Sequence, residues 1–91
     1  MKKSAHIRVY GIVQGVGMRY STYRKATALS LTGYVKNLSD GSVEIKTEGE
    51  EKDIMALIDY IRTGLRWAQV DDMDVTWGEY KGKYNDFDIK Y

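Results

Sequence analysis

An α+β sandwich, an antiparallel sheet with two helices on one face and a short extra C-terminal strand, is the fold predicted by this 91-residue sequence. Three observations predict it. Strand-like runs at His6–Tyr10, Tyr34–Leu38, Val43–Thr47 and Met73–Trp77 alternate apolar and polar side chains, the period of a half-buried strand. Helical stretches at about 20–30 and 54–61 separate them. Asp40-Gly41 lies between the second and third strands, where it supplies a hairpin turn. The order β-α-β-β-α-β with a trailing strand is that of a ferredoxin-like sandwich. In it the first and second strands both run antiparallel to the third, so their C-terminal ends share one edge, roughly 10 Å apart.

Each element rests on its own residues. Ile7 and Val9 share one face of the first strand. Gly11, Gly15 and Gly17 make the next segment a loop rather than the interior of an element. The first helix is built of good or neutral helix formers, with Tyr23, Ala26 and Leu29 near one face and Arg24 and Lys25 towards water. Gly33 opens the second strand, and Ser39-Asp40-Gly41 turns the chain because Asp-Gly tolerates positive φ. Val43, Ile45 and Thr47 then form a dry face opposite Glu44, Lys46 and Glu48. Ile54, Leu57, Ile58 and Ile61 recur at i, i+3, i+4 and i+7, the strongest helical stripe in the chain. Glu50, Glu51 and Asp53 suit the positive end of that helix, and Arg62 with Gly64 as a C′ residue suits its close. Met73, Val75 and Trp77, then Phe87, Ile89 and Tyr91, mark the last two strands.

Composition narrows the chemistry. The length fits a single domain, residues 1–91. No cysteine is present, which excludes disulfides, thiolate metal sites and cysteine nucleophiles and fits a cytoplasmic location. With one histidine, no metal site is expected, and Asp71, Asp72 and Asp74 read as solvated charges. Ser21, Ser30 and Ser42 have no histidine partner in any motif, so a triad is unsupported. A net charge of +1 gives no general attraction to nucleic acid or anionic lipid, and no apolar run spans a membrane or follows the basic start as in a signal peptide. Any anion site must be local.

Two segments offer one. In Gly15-Val16-Gly17-Met18-Arg19 a glycine-containing turn meets a helix start, where backbone N–H groups converge and the helix dipole favours an anion. Arg19 stands where that dipole disfavours a cation; a bound phosphate reverses the sign and the guanidinium fork can take two of its oxygens. By itself the segment also reads as a plain turn with Arg19 in water. It is neither a P-loop nor a dinucleotide fingerprint. Asn37 reads either as a residue of the following turn or as an amide that orients water without acting as a base.

The two segments together resemble paired signatures of the acylphosphatase family. Val9-Tyr10-Gly11-Ile12-Val13-Gln14-Gly15-Val16-Gly17-Met18-Arg19 is similar to the first, with Met18 where Phe is usual. Gly33 to Val43, closing with Gly49, is similar to the second. The resemblance implies the same ferredoxin-like fold and metal-free hydrolysis of acyl phosphates to a carboxylate and phosphate. It implies phosphate binding by Gly15, Val16, Gly17, Met18 and Arg19, with Arg19 and Asn37 catalytic. One departure is Gly64-Leu65-Arg66-Trp67-Ala68, in place of a Gly-Pro-Pro-like turn. Trp67 there is either an exposed contact or a local core plug.

The implied partners are a small-molecule acyl phosphate and inorganic phosphate, the latter as product and competitive inhibitor, with no cofactor. A monomer is expected. The rival from another class is a non-catalytic anion-binding or regulatory module. A single-strand RNA binder is disfavoured because Val43, Ile45 and Thr47 offer no stacking aromatics and no basic stripe is present.

Overall fold

The computed structural model describes residues 1–91. Its elements are β1 (Lys2–Ile12), α1 (Met18–Ala28), β2 (Thr32–Asn37), β3 (Val43–Glu50), α2 (Glu51–Thr63), β4 (Gln69–Glu79) and β5 (Phe87–Lys90). They form one sheet in the order β4-β1-β3-β2-β5 with both helices against one face. The ferredoxin-like expectation is met. β1 runs longer than its alternation suggested because it is hydrogen-bonded on both sides, to β3 and to β4.

The core lies between sheet and helices. Ala5, Ile7 and Val9 of β1, Val35 of β2 and Val43 and Ile45 of β3 are buried against Ile54, Leu57, Ile58 and Ile61 of α2. The α2 stripe is therefore the one the spacing predicts. For α1 the buried line is Met18, Thr22 and Ala26, with Tyr23 and Leu29 only partly buried beside it. This helix carries only a weak apolar stripe because Thr22, a polar residue whose buried hydroxyl has no hydrogen-bond partner, occupies the core face.

Three differences from the sequence reading have physical causes. Gly11 is inside β1, at a bulge where the β4 register shifts between Tyr10 and Gly11. Gly64 has φ −97° rather than a left-handed cap, and its N–H donates to Tyr60 O at 2.7 Å. The sheet is mixed, because β5 joins β2 in parallel and the other pairs are antiparallel. As the alternation predicts, Val43, Ile45 and Thr47 point at the core, and the open face of β3 carries Glu44, Lys46 and Glu48. The absence of aromatics among the first three says nothing about what that open face can bind.

Parallel addition of β5 requires a connection from one sheet edge to the other. Residues 80–86 make it across the open face. Glu48, a 3% exposed carboxylate, accepts the N–H groups of Lys81 (2.9 Å) and Lys83 (2.8 Å), and Tyr84 packs edge-on against Tyr34. Ionised carboxylate to backbone N–H is a charge-assisted bond, so Glu48 fixes the strap with two of them.

Gly33 shows how tightly β2 is seated. Its φ is +130°, and a Cβ there would stand 1.8 Å from Lys46 O. Gly33→Ala is expected to lower stability by at least about 2 kcal/mol, since the backbone strain alone is worth about 1–3 kcal/mol. Urea denaturation checks this; a change below about 0.5 kcal/mol would mean the backbone relaxes freely.

Candidate active site

The loop between β1 and α1 has the geometry of an anion nest. Gly15 (φ 75°) and Gly17 (φ 79°) are both left-handed, and a Cβ at either would meet nothing within 4 Å. Glycine is needed here for backbone conformation and not for room. The N–H groups of Gly15, Val16 and Gly17 donate to no group of the protein. Gly17 is also the N-cap of α1, which has neither a capping side chain nor an acidic residue in its first turn. Unpaired N–H groups and the positive end of the helix dipole are thus left facing outward together.

Arg19, half-buried, takes part in none of the four ion pairs of the structure. Its guanidinium lies 4.8 Å from the centre of the Tyr91 ring, a cation–π stack of about 0.5–1 kcal/mol at such a site. Asn37 is the last residue of β2, paired with Val43 across the hairpin, and its carboxamide makes no hydrogen bond to the protein. Gly15, Gly17, Met18, Arg19 and Asn37 all line one cavity of about 200 Å³. Val16 does not line it; its side chain packs against the core.

The turn after Asn37 is held by other groups. Leu38 N–H donates to Ser42 O at 2.9 Å and Gly41 N–H to Leu38 O at 3.1 Å. Asp40 accepts from the backbone N–H (2.9 Å) and hydroxyl of Ser42, and Arg8 donates to Asp40 at 2.8 Å and to Ser42 Oγ at 3.2 Å. Asp40, not Asn37, is therefore the turn's own side-chain cap. The Ser42 hydroxyl and N–H, with Arg8 beside them, hold the Asp40 carboxyl below the ordinary range. A carboxylate depressed in the fold stabilises it above its unfolded pKa of about 3.9 and loses that contribution as pH falls through the folded value. The thermal midpoint of the wild type is accordingly expected to exceed that of Asp40→Asn at pH 6, with the gap closing below about pH 3.9. A gap unchanged at pH 2.5 would contradict this.

Sequence reasoning missed the far side of the cavity. Ile89 and Tyr91 reach it because β5 lies parallel to β2 and ends at the same edge; Tyr20 and Val13 complete the lining. It also missed the side chain of Gln14, whose Nε2 donates to Leu38 O and Ser42 O. Other candidates fall elsewhere. His6 pairs with Glu44 on the open face at 2.8 Å; burial opposes ionisation of Glu44, but hydrogen bonds from His6 and Tyr34 hold its carboxyl below the usual range. Asp71 and Asp72 accept local bonds from Gln69 and the Met73 N–H. Trp67 is 75% exposed and so is not a core plug.

Comparison with known proteins gives consistent matches. The family model described as Acylphosphatase matches residues 5–89. An acylphosphatase of Caldanaerobacter subterraneus subsp. tengcongensis is 60% identical over 89 residues, 98% of this chain and 99% of its own. The crystal structure of acylphosphatase from Bacillus subtilis superposes with a TM-score of 0.93 at 36% identity, covering 100% of both chains. Full-length HypF, in a phosphate- and nucleotide-bound form, contains a similar unit: TM-score 0.91, 37% identity, all of this chain but 12% of that one.

Proposed function

This chain belongs to the acylphosphatase family and hydrolyses acyl phosphates, and from that premise we propose that the nest, Arg19 and Asn37 carry the reaction. The phosphate is held by the N–H groups of Gly15, Val16, Gly17, Met18 and Arg19 and by the Arg19 fork. Asn37 orients the attacking water. One observation carries the reading: unpaired N–H groups, a guanidinium without a carboxylate partner and a free carboxamide meet on one cavity.

The chemistry asked of these groups is modest. An acyl phosphate is a mixed anhydride with a good carboxylate leaving group, so positioning and charge stabilisation can supply most of the acceleration. Water oxygen bonds to phosphorus while the bond from phosphorus to the acyl oxygen breaks and its electron pair leaves on the carboxylate. The water proton passes to a phosphate oxygen, since an amide cannot accept it at neutral pH. A dianionic acyl phosphate and water thus give a carboxylate and dihydrogen phosphate. The nest and Arg19 meet the phosphate charge, so no metal or other cofactor is needed in this reading.

The proposal extends to one domain, 1–91, acting as a monomer on a small molecule, with inorganic phosphate a competitive inhibitor. A cytoplasmic location is supported by a sequence without cysteine. No helix is long and apolar enough to cross a membrane. Steady-state hydrolysis of benzoyl phosphate with a chelator present tests the reading. Turnover with competitive inhibition by phosphate is expected. Activity abolished by the chelator would remove the metal-free mechanism, and phosphate binding without turnover would leave only an anion-binding module.

A further inference from the structure

Gln14 precedes the nest by one residue, and its half-buried side chain turns away from the cavity. Both donors of its carboxamide are used, at 2.7 Å to Leu38 O and 2.9 Å to Ser42 O. Those carbonyls stand at the two ends of the turn that follows Asn37. No backbone hydrogen bond ties residues 13–16 to the rest of the protein, so the Gln14 pair is the loop's only hydrogen-bonded attachment. The other anchor is apolar: Val13 is 1% exposed in the core.

We propose that Gln14 is a positioning residue that fixes the interval between the phosphate nest and Asn37. The inference rests on the roles given above to those two groups. β3 lies between β1 and β2, so their ends are two strand spacings, roughly 10 Å, apart. β3 and Arg8 join the strands below the nest, but no other hydrogen bond ties residues 13–16 across that gap. A side chain here must present two donors from one atom to two carbonyls and carry no charge beside a bound phosphate. Glutamine satisfies this; glutamate has the same length but, ionised, offers only acceptors, and asparagine is one methylene short. Because a misplacement of about 1 Å can cost about 100-fold in rate, two neutral hydrogen bonds can matter far more to turnover than to stability.

The test is steady-state hydrolysis of benzoyl phosphate by Gln14→Ala and by Gln14→Met, which keeps the length, adds no charge and has no N–H donor, each also made in an Asn37→Ala background. The inhibition constant of inorganic phosphate is measured for every variant. In the wild-type background kcat is expected to fall about 10–100-fold with the phosphate constant held within about threefold. In the Asn37→Ala background the same substitutions should change kcat by less than about threefold, because the group being positioned is gone. Equal losses in both backgrounds, or a phosphate constant that rises with the loss of kcat, would overturn the proposal, as would full activity in Gln14→Ala. If Gln14→Ala does not fold, Gln14→Met decides by the same criteria. An inactive wild type would instead refute the functional reading, and this proposal with it; an active wild type with a crippled Asn37→Ala and an intact Gln14→Ala refutes this proposal alone.

Discussion

Arg19→Ala is expected to lower kcat/KM for benzoyl phosphate by about 1,000-fold and to weaken inhibition by inorganic phosphate, while leaving the thermal midpoint nearly unchanged. The activity loss follows from the cavity. Removing one donor aimed at developing charge costs about 100–1,000-fold, and Arg19 contributes both a donor pair and a full positive charge. The stability result follows from the helix end. Alanine forfeits the stack on Tyr91, about 0.5–1 kcal/mol, but relieves a cation at the positive end of α1, about 0.3–1 kcal/mol. The two nearly cancel. Arg19→Lys should stay within about tenfold of the alanine variant, because an ammonium is a point charge and not a planar fork. Wild-type phosphate affinity in Arg19→Lys would show that charge alone suffices.

Asn37→Ala is the second large effect, with a different signature. Turnover is expected to fall about 100–1,000-fold while the inhibition constant of phosphate stays within about twofold, since the nest and Arg19 are untouched. The fold should not suffer, because the Asn37 side chain makes no hydrogen bond and the turn is held by Asp40, Ser42 and Arg8. Asn37→Asp separates orientation from base catalysis. A carboxylate retains an acceptor for water but repels the phosphate, so activity below that of the wild type is expected. A rise in kcat above wild type would mean that removal of the water proton limits the rate and that positioning does not.

Both residues were legible in the sequence for reasons that do not depend on packing. Glycine at two positions, an arginine against a helix dipole and an amide at a strand end are local chemistry, and the hairpin and the α2 stripe put them on one edge. The α1 contacts were harder to read because Thr22 places a hydroxyl where periodicity looks for an apolar group. β5 was visible as a strand but not as a partner: nothing in Phe87-Asp88-Ile89-Lys90 names β2 or a parallel orientation. Its pairing is decided by the strap and by Glu48, a carboxylate that in sequence looks like an ordinary solvated charge. Gln14 is visible in the sequence only as a member of the loop motif; the direction of its side chain is set by carbonyls more than 20 residues away.

The strap and β5 also bear on how the protein comes to be active. Ile89 and Tyr91 line a cavity whose nest lies near the other end of the chain, and residues 80–86 must cross the sheet to bring them there. Distant pairings of this kind pay loop-closure entropy before any contact rewards it, which places folding towards the slow side for a small domain. The sequence has no proline, so no prolyl isomerisation lies in the way. Recovery of catalysis on refolding is thus governed by chain topology, and a half-folded sheet with its helices docked still lacks a finished pocket.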